Sequence, residues 1–170
     1  MNISLIGMMG SGKTTIGKLL SKELNYIFID TDLEIIKREN RKINQIFAQD
    51  GEKYFRTIET DVLKEVLLNK NQIISTGGGI IKSNENIQQL KEKSIIFYLE
   101  ANSEVLFERL KNNKERPLLN VGDMKRRIEI LLSERKEKYE QAHYKVLTEN
   151  KSPENITKEI IGIINGYNRS

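Results

Sequence analysis

The sequence predicts an α/β fold in which a parallel sheet is covered by helices on both faces. Three observations carry that reading. Short apolar runs of strand length alternate along the chain with segments whose apolar residues recur every three or four positions. The first apolar run leads at once into a glycine-rich turn and then into a helical pattern. Finally, the 170 residues contain no internal repeat, low-complexity segment or long linker, so one domain spanning 1–170, long enough to bury a core, accounts for the whole.

The elements follow in order. Ile3 to Ile6 reads as a strand. Ile16, Leu19, Leu20 and Leu24 then share one face of a helix. Tyr26 to Ile29 is a second strand, and Phe55, Ile58, Val62 and Val66 mark the apolar face of a later helix. Ile73 to Ser75, Ile95 to Leu99 and Lys145 to Leu147 complete five short strands. Helices are expected over Glu85 to Lys91, Ser103 to Leu110, Met124 to Ala142 and Pro153 to Ile164. The stretch 112–123 is the one sizeable break between helices and a candidate lid. Such alternation argues for parallel strands joined by helical crossovers. Ligands on sheets of this kind bind beyond the carboxyl ends of the strands. The glycine-rich turn, Asp30-Thr31-Asp32 and Thr76 to Gly79 each follow a strand, so all three should gather on that edge.

Composition excludes several function classes. Charged residues make up 31% and hydrophobic residues 38%, ordinary for a globular protein. No apolar run approaches a membrane span, and the start lacks the basic leader and cleavage site of a secretory signal, so a cytoplasmic protein is expected. Zero cysteines rule out disulfides and thiolate metal sites, and the single histidine, His143, cannot form a histidine cluster. The net charge of +4 comes from 28 basic residues spread among 24 acids. The densest run, Lys125 to Lys138, alternates in sign and reads as a solvated helix face, so no nucleic-acid partner is expected.

Gly7-Met8-Met9-Gly10-Ser11-Gly12-Lys13-Thr14 fits the phosphate-binding pattern G-x-x-x-x-G-K-T, with the required strand before it and helix after it. Glycines let backbone N–H groups turn inward around a phosphate. Lysine supplies a mobile cation for the outer phosphates, a hydroxyl in the next position suits Mg²⁺, and the following helix N-terminus favours anions. A nucleoside triphosphate ligand is therefore expected. The guanine-binding NKxD and the switch DxxG of a GTPase are both missing, and Ile95 to Leu99 ends in Glu100 rather than a Walker-type aspartate. That leaves a small-molecule kinase as the favoured reading.

Asp30 and Asp32 flank Thr31 at the end of the second strand. Phosphoryl transfer to a hydroxyl needs an acceptor-positioning group, often an aspartate. Thr31-Asp32-Leu33-Glu34 also reads as a capping box, with Thr31 as cap and Glu34 reaching back, which would leave both aspartates free. Three consecutive glycines, Gly77 to Gly79, want either a ligand close to the backbone or a flexible or left-handed turn. Arg56, Arg109, Arg116 and Arg135 come from different segments, and composition and periodicity cannot choose among them, although a guanidinium is the natural clamp for a carboxylate or phosphoryl group.

Taken together, "GMMGSGKTTIGKLL", "FIDTDLEI", "EKYFRTIE", "STGGGII", "ERPLL" and "LLSERKEKYEQAHY", in that order and over nearly the whole chain, resemble the shikimate kinase family. The resemblance implies a three-layer P-loop kinase fold with a five-stranded parallel sheet in order 2-3-1-4-5, a short lid, and an acceptor-binding region over about 32–60. It also implies ATP-dependent, Mg²⁺-assisted phosphorylation of the shikimate 3-hydroxyl, on the chorismate route to aromatic amino acids, by a monomer. Carried over by motif, Gly10, Ser11, Gly12, Lys13, Thr14 and Thr15 hold ATP, with Arg109 stacking on adenine and Pro153 in an adenine-contacting loop. Thr14 is the direct Mg²⁺ ligand and Asp30 its partner behind it. Asp32 holds the acceptor hydroxyl, with Lys13 and Arg116 on the transferring phosphates. Arg56, Arg135 and the backbone of Gly77, Gly78 and Gly79 form the shikimate subsite. Phe47 and Phe55 match positions near the substrate ring, but a core role is the plainer reading, and His143 has no assigned role. The match is loosest over Asn150 to Pro153. Two rivals stand beside this reading: another P-loop kinase such as a gluconate kinase, which would lack this ordered motif set, and a non-catalytic ATP-binding module, which should have lost its acceptor carboxylate or an arginine.

Overall fold

A computed structural model describes residues 1–111 and 123–167. The expected lid, with Arg116, therefore lies almost entirely outside the described residues. Five strands, β1 (Asn2–Ile6), β2 (Ile27–Asp30), β3 (Gln72–Ser75), β4 (Ser94–Glu100) and β5 (Tyr144–Leu147), form one sheet in the order β2-β3-β1-β4-β5. Every neighbouring pair is parallel. The central strand β1 sets Ile3 opposite both Ile73 and Ile95.

Seven helices connect and flank these strands among the described residues: α1 (Lys13–Leu24), α2 (Thr31–Glu39), α3 (Ile43–Val66), α4 (Asn84–Lys93), α5 (Ser103–Leu110), α6 (Met124–Tyr139) and α7 (Pro153–Tyr167). The strand side-chain period of two divides the buried runs between the two faces. Ile3, Leu5, Ile73, Ile95, Phe97 and Leu99 pack with α1 and α7 through Ile16, Leu20, Ile156 and Ile160. Ile6, Ile74, Ile96 and Tyr98 pack on the other face with Leu63, Leu67, Ile87, Leu90 and Tyr139. A separate cluster of Ile35, Ile46, Phe55, Ile58 and Val62 welds α2 to α3 beyond the end of β2. No helix among the described residues is long and apolar enough to cross a membrane.

Several boundaries differ from the sequence reading for local reasons. β2 begins at Ile27 because the Tyr26 N–H is used to close α1, donating to Ser21 O at 3.0 Å after Asn25 turns left-handed. The apolar face at Phe55 to Val66 belongs to a longer helix, α3, that starts at Ile43 and kinks at Gly51, where φ is 82° and ψ 173°. Helix α6 ends at Tyr139 rather than Ala142, its last turn tightened by Ala142 N donating to Tyr139 O.

That tight turn gives His143 a structural place. Its Nδ1 accepts the Ile96 N–H at 2.9 Å, beside the start of β5. Only a neutral imidazole can accept there, and burial, with Lys91 adding to it, holds the His143 pKa below its usual 6.5. The folded state thus binds this proton more weakly than the unfolded chain. Its contribution to stability is full above about pH 6.5 and is lost as the pH falls through the lowered folded value. The expected result is a melting temperature that declines from pH 7.5 to pH 5.5, with a smaller decline in His143→Asn. Parallel curves for the two proteins would show that this histidine plays no part.

Candidate active site

One cavity of about 1160 Å³ opens at the carboxyl ends of β1, β2 and β3. It is lined by Gly10 to Thr15, Asp30, Asp32, Arg56, Gly77 to Gly79, Arg109, Arg135 and Pro153. All the candidate residues inferred from the sequence thus share one cavity, apart from Arg116, which lies outside the described residues.

The phosphate loop spans the turn from β1 into α1. Gly12 sits at φ 98° as the residue preceding α1, a left-handed conformation that glycine reaches without strain. Lys13 is buried, and its Nζ donates to the carbonyls of Gly7 and Met8 at 2.9 and 3.1 Å. The ammonium is thereby held against its own loop, where Lys13 lines the cavity. Arg109 closes the far side. Its Nη1 donates to Gly10 O at 3.1 Å and its Nη2 to Thr148 O at 3.3 Å, tying the phosphate loop to the segment that leads to Pro153.

The Thr14 hydroxyl donates to Asp30 Oδ2 at 3.0 Å and lies 3.4 Å from Ser75 Oγ. Hydroxyl and carboxylate oxygens are the hard donors Mg²⁺ takes, usually alongside substrate phosphates and water. No group of three or more His, Asp or Glu residues assembles among the described residues, so a metal there would depend on nucleotide oxygens. The pair therefore fits a nucleotide-borne Mg²⁺ rather than a site made wholly by protein.

Asp30 also corrects the capping expectation. The cap of α2 is Asp30, whose side chain accepts the Asp32 N–H at 3.1 Å, and Glu34 pairs instead with Lys37. Thr31 is buried and accepts the Gly77 N–H at 3.0 Å, so the threonine joins the two loops rather than capping the helix. Asp30 is thus engaged twice, while Asp32 lines the cavity.

The glycines have a packing reason. None of Gly77 to Gly79 has a positive φ, so the left-handed turn is not the explanation. A Cβ on Gly77 would stand 2.6 Å from Asp32 Oδ1 and 2.9 Å from Glu59 Oε1, and one on Gly79 would stand 2.7 Å from Arg56 Nη1. It is the site's own charged side chains, therefore, that lie close against this backbone. Gly77→Ala should push the Asp32 carboxylate aside and cut turnover by up to about 100-fold, since misplacement on the ångström scale costs that much. The measurement is steady-state rate beside ATP affinity. Unchanged turnover would mean the close packing serves no chemistry.

Arg56 is held between two carboxylates. Its Nη1 donates to Glu59 at 2.6 Å, its Nε and Nη2 to Glu52 at 3.3 and 3.2 Å, and its guanidinium lies 5.0 Å from the centre of the Phe55 ring. Glu59 is buried, which raises its pKa; Arg56 opposes that rise and Asp32 adds to it. Lys82, with Arg56 behind it, lowers the Glu52 pKa. The Phe47 and Phe55 rings meet at 4.7 Å, tilted 37° to one another, and both line the cavity, so the two sequence readings meet in one place. Arg135 is buried on α6, its Nη1 donating to Gly78 O at 2.9 Å. Residues the sequence reading missed are Glu59, Ser75, Thr148 and Tyr139. Only Glu59 had a local signal, being three positions after Arg56 on a helix.

The sheet order and the phosphate loop after its first strand define a P-loop kinase fold. Residues 9–165 match the family model described as shikimate kinase. A shikimate kinase from Persephonella marina is 44% identical over 163 residues, covering 96% of this chain and 98% of that protein. Among solved structures, shikimate kinase from Acinetobacter baumannii in complex with shikimate aligns with a TM-score of 0.94 at 37% identity, over 98% of this chain and 93% of that one. Shikimate kinase from Aquifex aeolicus aligns with a TM-score of 0.87 at 43% identity, over 98% of each chain. The chain belongs to the shikimate kinase family.

Proposed function

We infer that the protein transfers the γ-phosphoryl group of ATP to the 3-hydroxyl of shikimate, giving shikimate 3-phosphate and ADP on the chorismate route to aromatic amino acids. The observation that carries this is the division of one cavity in two: a phosphate loop on one side, and Asp32, Arg56, Arg135 and the Gly77 to Gly79 backbone on the other. An acceptor with one carboxylate and several hydroxyls calls for that combination of guanidinium donors and a carboxylate acceptor.

Asp32 accepts the proton of the attacking hydroxyl and holds its oxygen toward the γ-phosphorus. Arg56 and Arg135 hold the substrate carboxylate and so fix which hydroxyl faces Asp32. Lys13 meets the charge that spreads onto the transferring oxygens, and Arg116, from the lid segment, joins it. Arg109 and Pro153 border the adenine. Thr14, backed by Asp30, would hold Mg²⁺, which would supply charge neutralisation for the nucleotide phosphates.

ADP release is the test: saturating Mg–ATP with and without shikimate, and with gluconate as control. Strong stimulation by shikimate alone is expected. Equal stimulation by gluconate, or slow release indifferent to both, would overturn the reading.

A further inference from the structure

We propose that Tyr139 is a positioning residue for the acceptor side of this site, acting through its phenol on the carbonyl of Gly78. The inference rests on the reading of the Gly77 to Gly79 loop as part of the acceptor subsite.

Tyr139 closes α6 and is completely buried, its ring stacked on Tyr98 of β4 with centroids 4.8 Å apart and planes 6° from parallel. Its hydroxyl donates to Gly78 O at 3.0 Å. One helical turn earlier, Arg135 Nη1 donates to the same oxygen at 2.9 Å. Two donors from one helix thus converge on one carbonyl, using both of its acceptor positions. Burial raises the Tyr139 pKa, so the phenol stays a donor across the working pH range.

That carbonyl belongs to the glycine loop that lines the cavity. Its three glycines face three different parts: Gly77 packs on Asp32 and Glu59, Gly79 on Arg56, and Gly78 on the backbone of the phosphate loop, where a Cβ would come 3.3 Å from Met9 N. Clamping Gly78 from behind therefore sets the spacing between the phosphate loop and the acceptor residues. It also fixes the next peptide. With a trans bond between Gly78 and Gly79, a carbonyl directed at α6 sends the Gly79 N–H to the opposite side.

The paired donors explain why the phenol matters when arginine is already there. Arg135 Nη1 holds Gly78 O at 2.9 Å and stands 3.8 Å from Met8 Sδ, so the orientation of the guanidinium is tied to that carbonyl. As Arg135 turns to the substrate, Tyr139 keeps the Gly78 carbonyl in place and satisfied, a group that would otherwise be costly to leave buried without a partner. Tyr139→Phe would keep the ring and its stacking but leave Arg135 as the one donor holding Gly78 O.

The experiment compares wild type, Tyr139→Phe and Tyr98→Phe in steady-state assays, with a thermal melt for each and calorimetric titration of shikimate without ATP. Tyr98→Phe removes a hydroxyl from the other half of the ring stack and leaves both donors to Gly78 O, Arg135 and Tyr139, in place. Tyr139→Phe is expected to raise the shikimate KM and Kd about 5-fold, the effect of one neutral hydrogen bond. Its ATP KM should stay within about twofold, and Tyr98→Phe should leave both substrates' constants unchanged. Three results would overturn the proposal: unaltered shikimate constants in Tyr139→Phe, equal rises for shikimate and ATP, or a Tyr139→Phe protein that does not fold, since a loop pin sets affinity and not the fold. Wild-type protein that shows no shikimate-dependent ADP release would instead fail the functional reading itself, before either variant is compared.

Discussion

Asp32→Asn should lower kcat by about 10²- to 10⁴-fold, the span associated with loss of a positioned general base, while leaving the ATP KM nearly unchanged. The carboxylate lines the cavity, and its neighbours already constrain it. Gly77 leaves it room, and Glu59 and Arg56 lie on the same side. An amide of the same shape keeps the side chain in that space but cannot take the hydroxyl proton. The fold should tolerate the change, because the contact that starts α2 uses the backbone N–H of residue 32 and the carboxylate of Asp30, not the Asp32 side chain. Initial rates at saturating shikimate across a range of ATP concentrations, with a nucleotide-binding titration alongside, make the check. Near-normal turnover would remove Asp32 from the mechanism, and loss of ATP binding would place its role on the nucleotide.

The second large effect is expected from Arg135→Ala: a rise in shikimate KM of roughly 10- to 100-fold, the range for a charge-assisted hydrogen bond, with little change for ATP. The side chain is buried on α6 and already spans from Met8 to the Gly78 carbonyl, so it lies between the phosphate loop and the acceptor loop. Truncation leaves Tyr139 as the remaining donor to Gly78, which keeps the loop satisfied and confines the loss to substrate recognition. Separate KM determinations for the two substrates decide the matter. Equal effects on both would argue against a carboxylate clamp and for general disorder of the phosphate loop.

The two predictions differ in where their support comes from. Asp32 stands out in the sequence because it follows a strand and shares a tripeptide with a second aspartate. Arg135 does not: among 28 basic residues nothing in composition or periodicity selects it, and only its likeness to a family motif singles it out. In the fold its burial sets it apart at once.

What the sequence determined by itself is whatever is carried by residues close along the chain. Eight consecutive residues specify the phosphate loop, because its chemistry is that of adjacent backbone N–H groups, one lysine and one hydroxyl. Short apolar runs mark the strands, most plainly the central β1 and β4, which are buried on both faces and so need continuous apolar residues, while the edge strands β2 and β5 are partly exposed. The tertiary structure alone decided the contacts between segments. Asp30 rather than Thr31 caps α2, because Thr31 is drawn to Gly77 in a loop 46 positions away. Ser75 meets Thr14 across the sheet edge, and Thr148 meets Arg109 from the far end of the chain. The need for three glycines becomes visible only when Asp32, Glu59, Arg56 and Met9 arrive around them. Tyr139 and Gly78, 61 positions apart, meet because α6 packs against the single turn Ile80–Lys82 that follows the glycines. Periodicity and spacing report on neighbours within a turn or a strand, and a hydrogen bond between distant segments leaves no mark on either until the chain has closed.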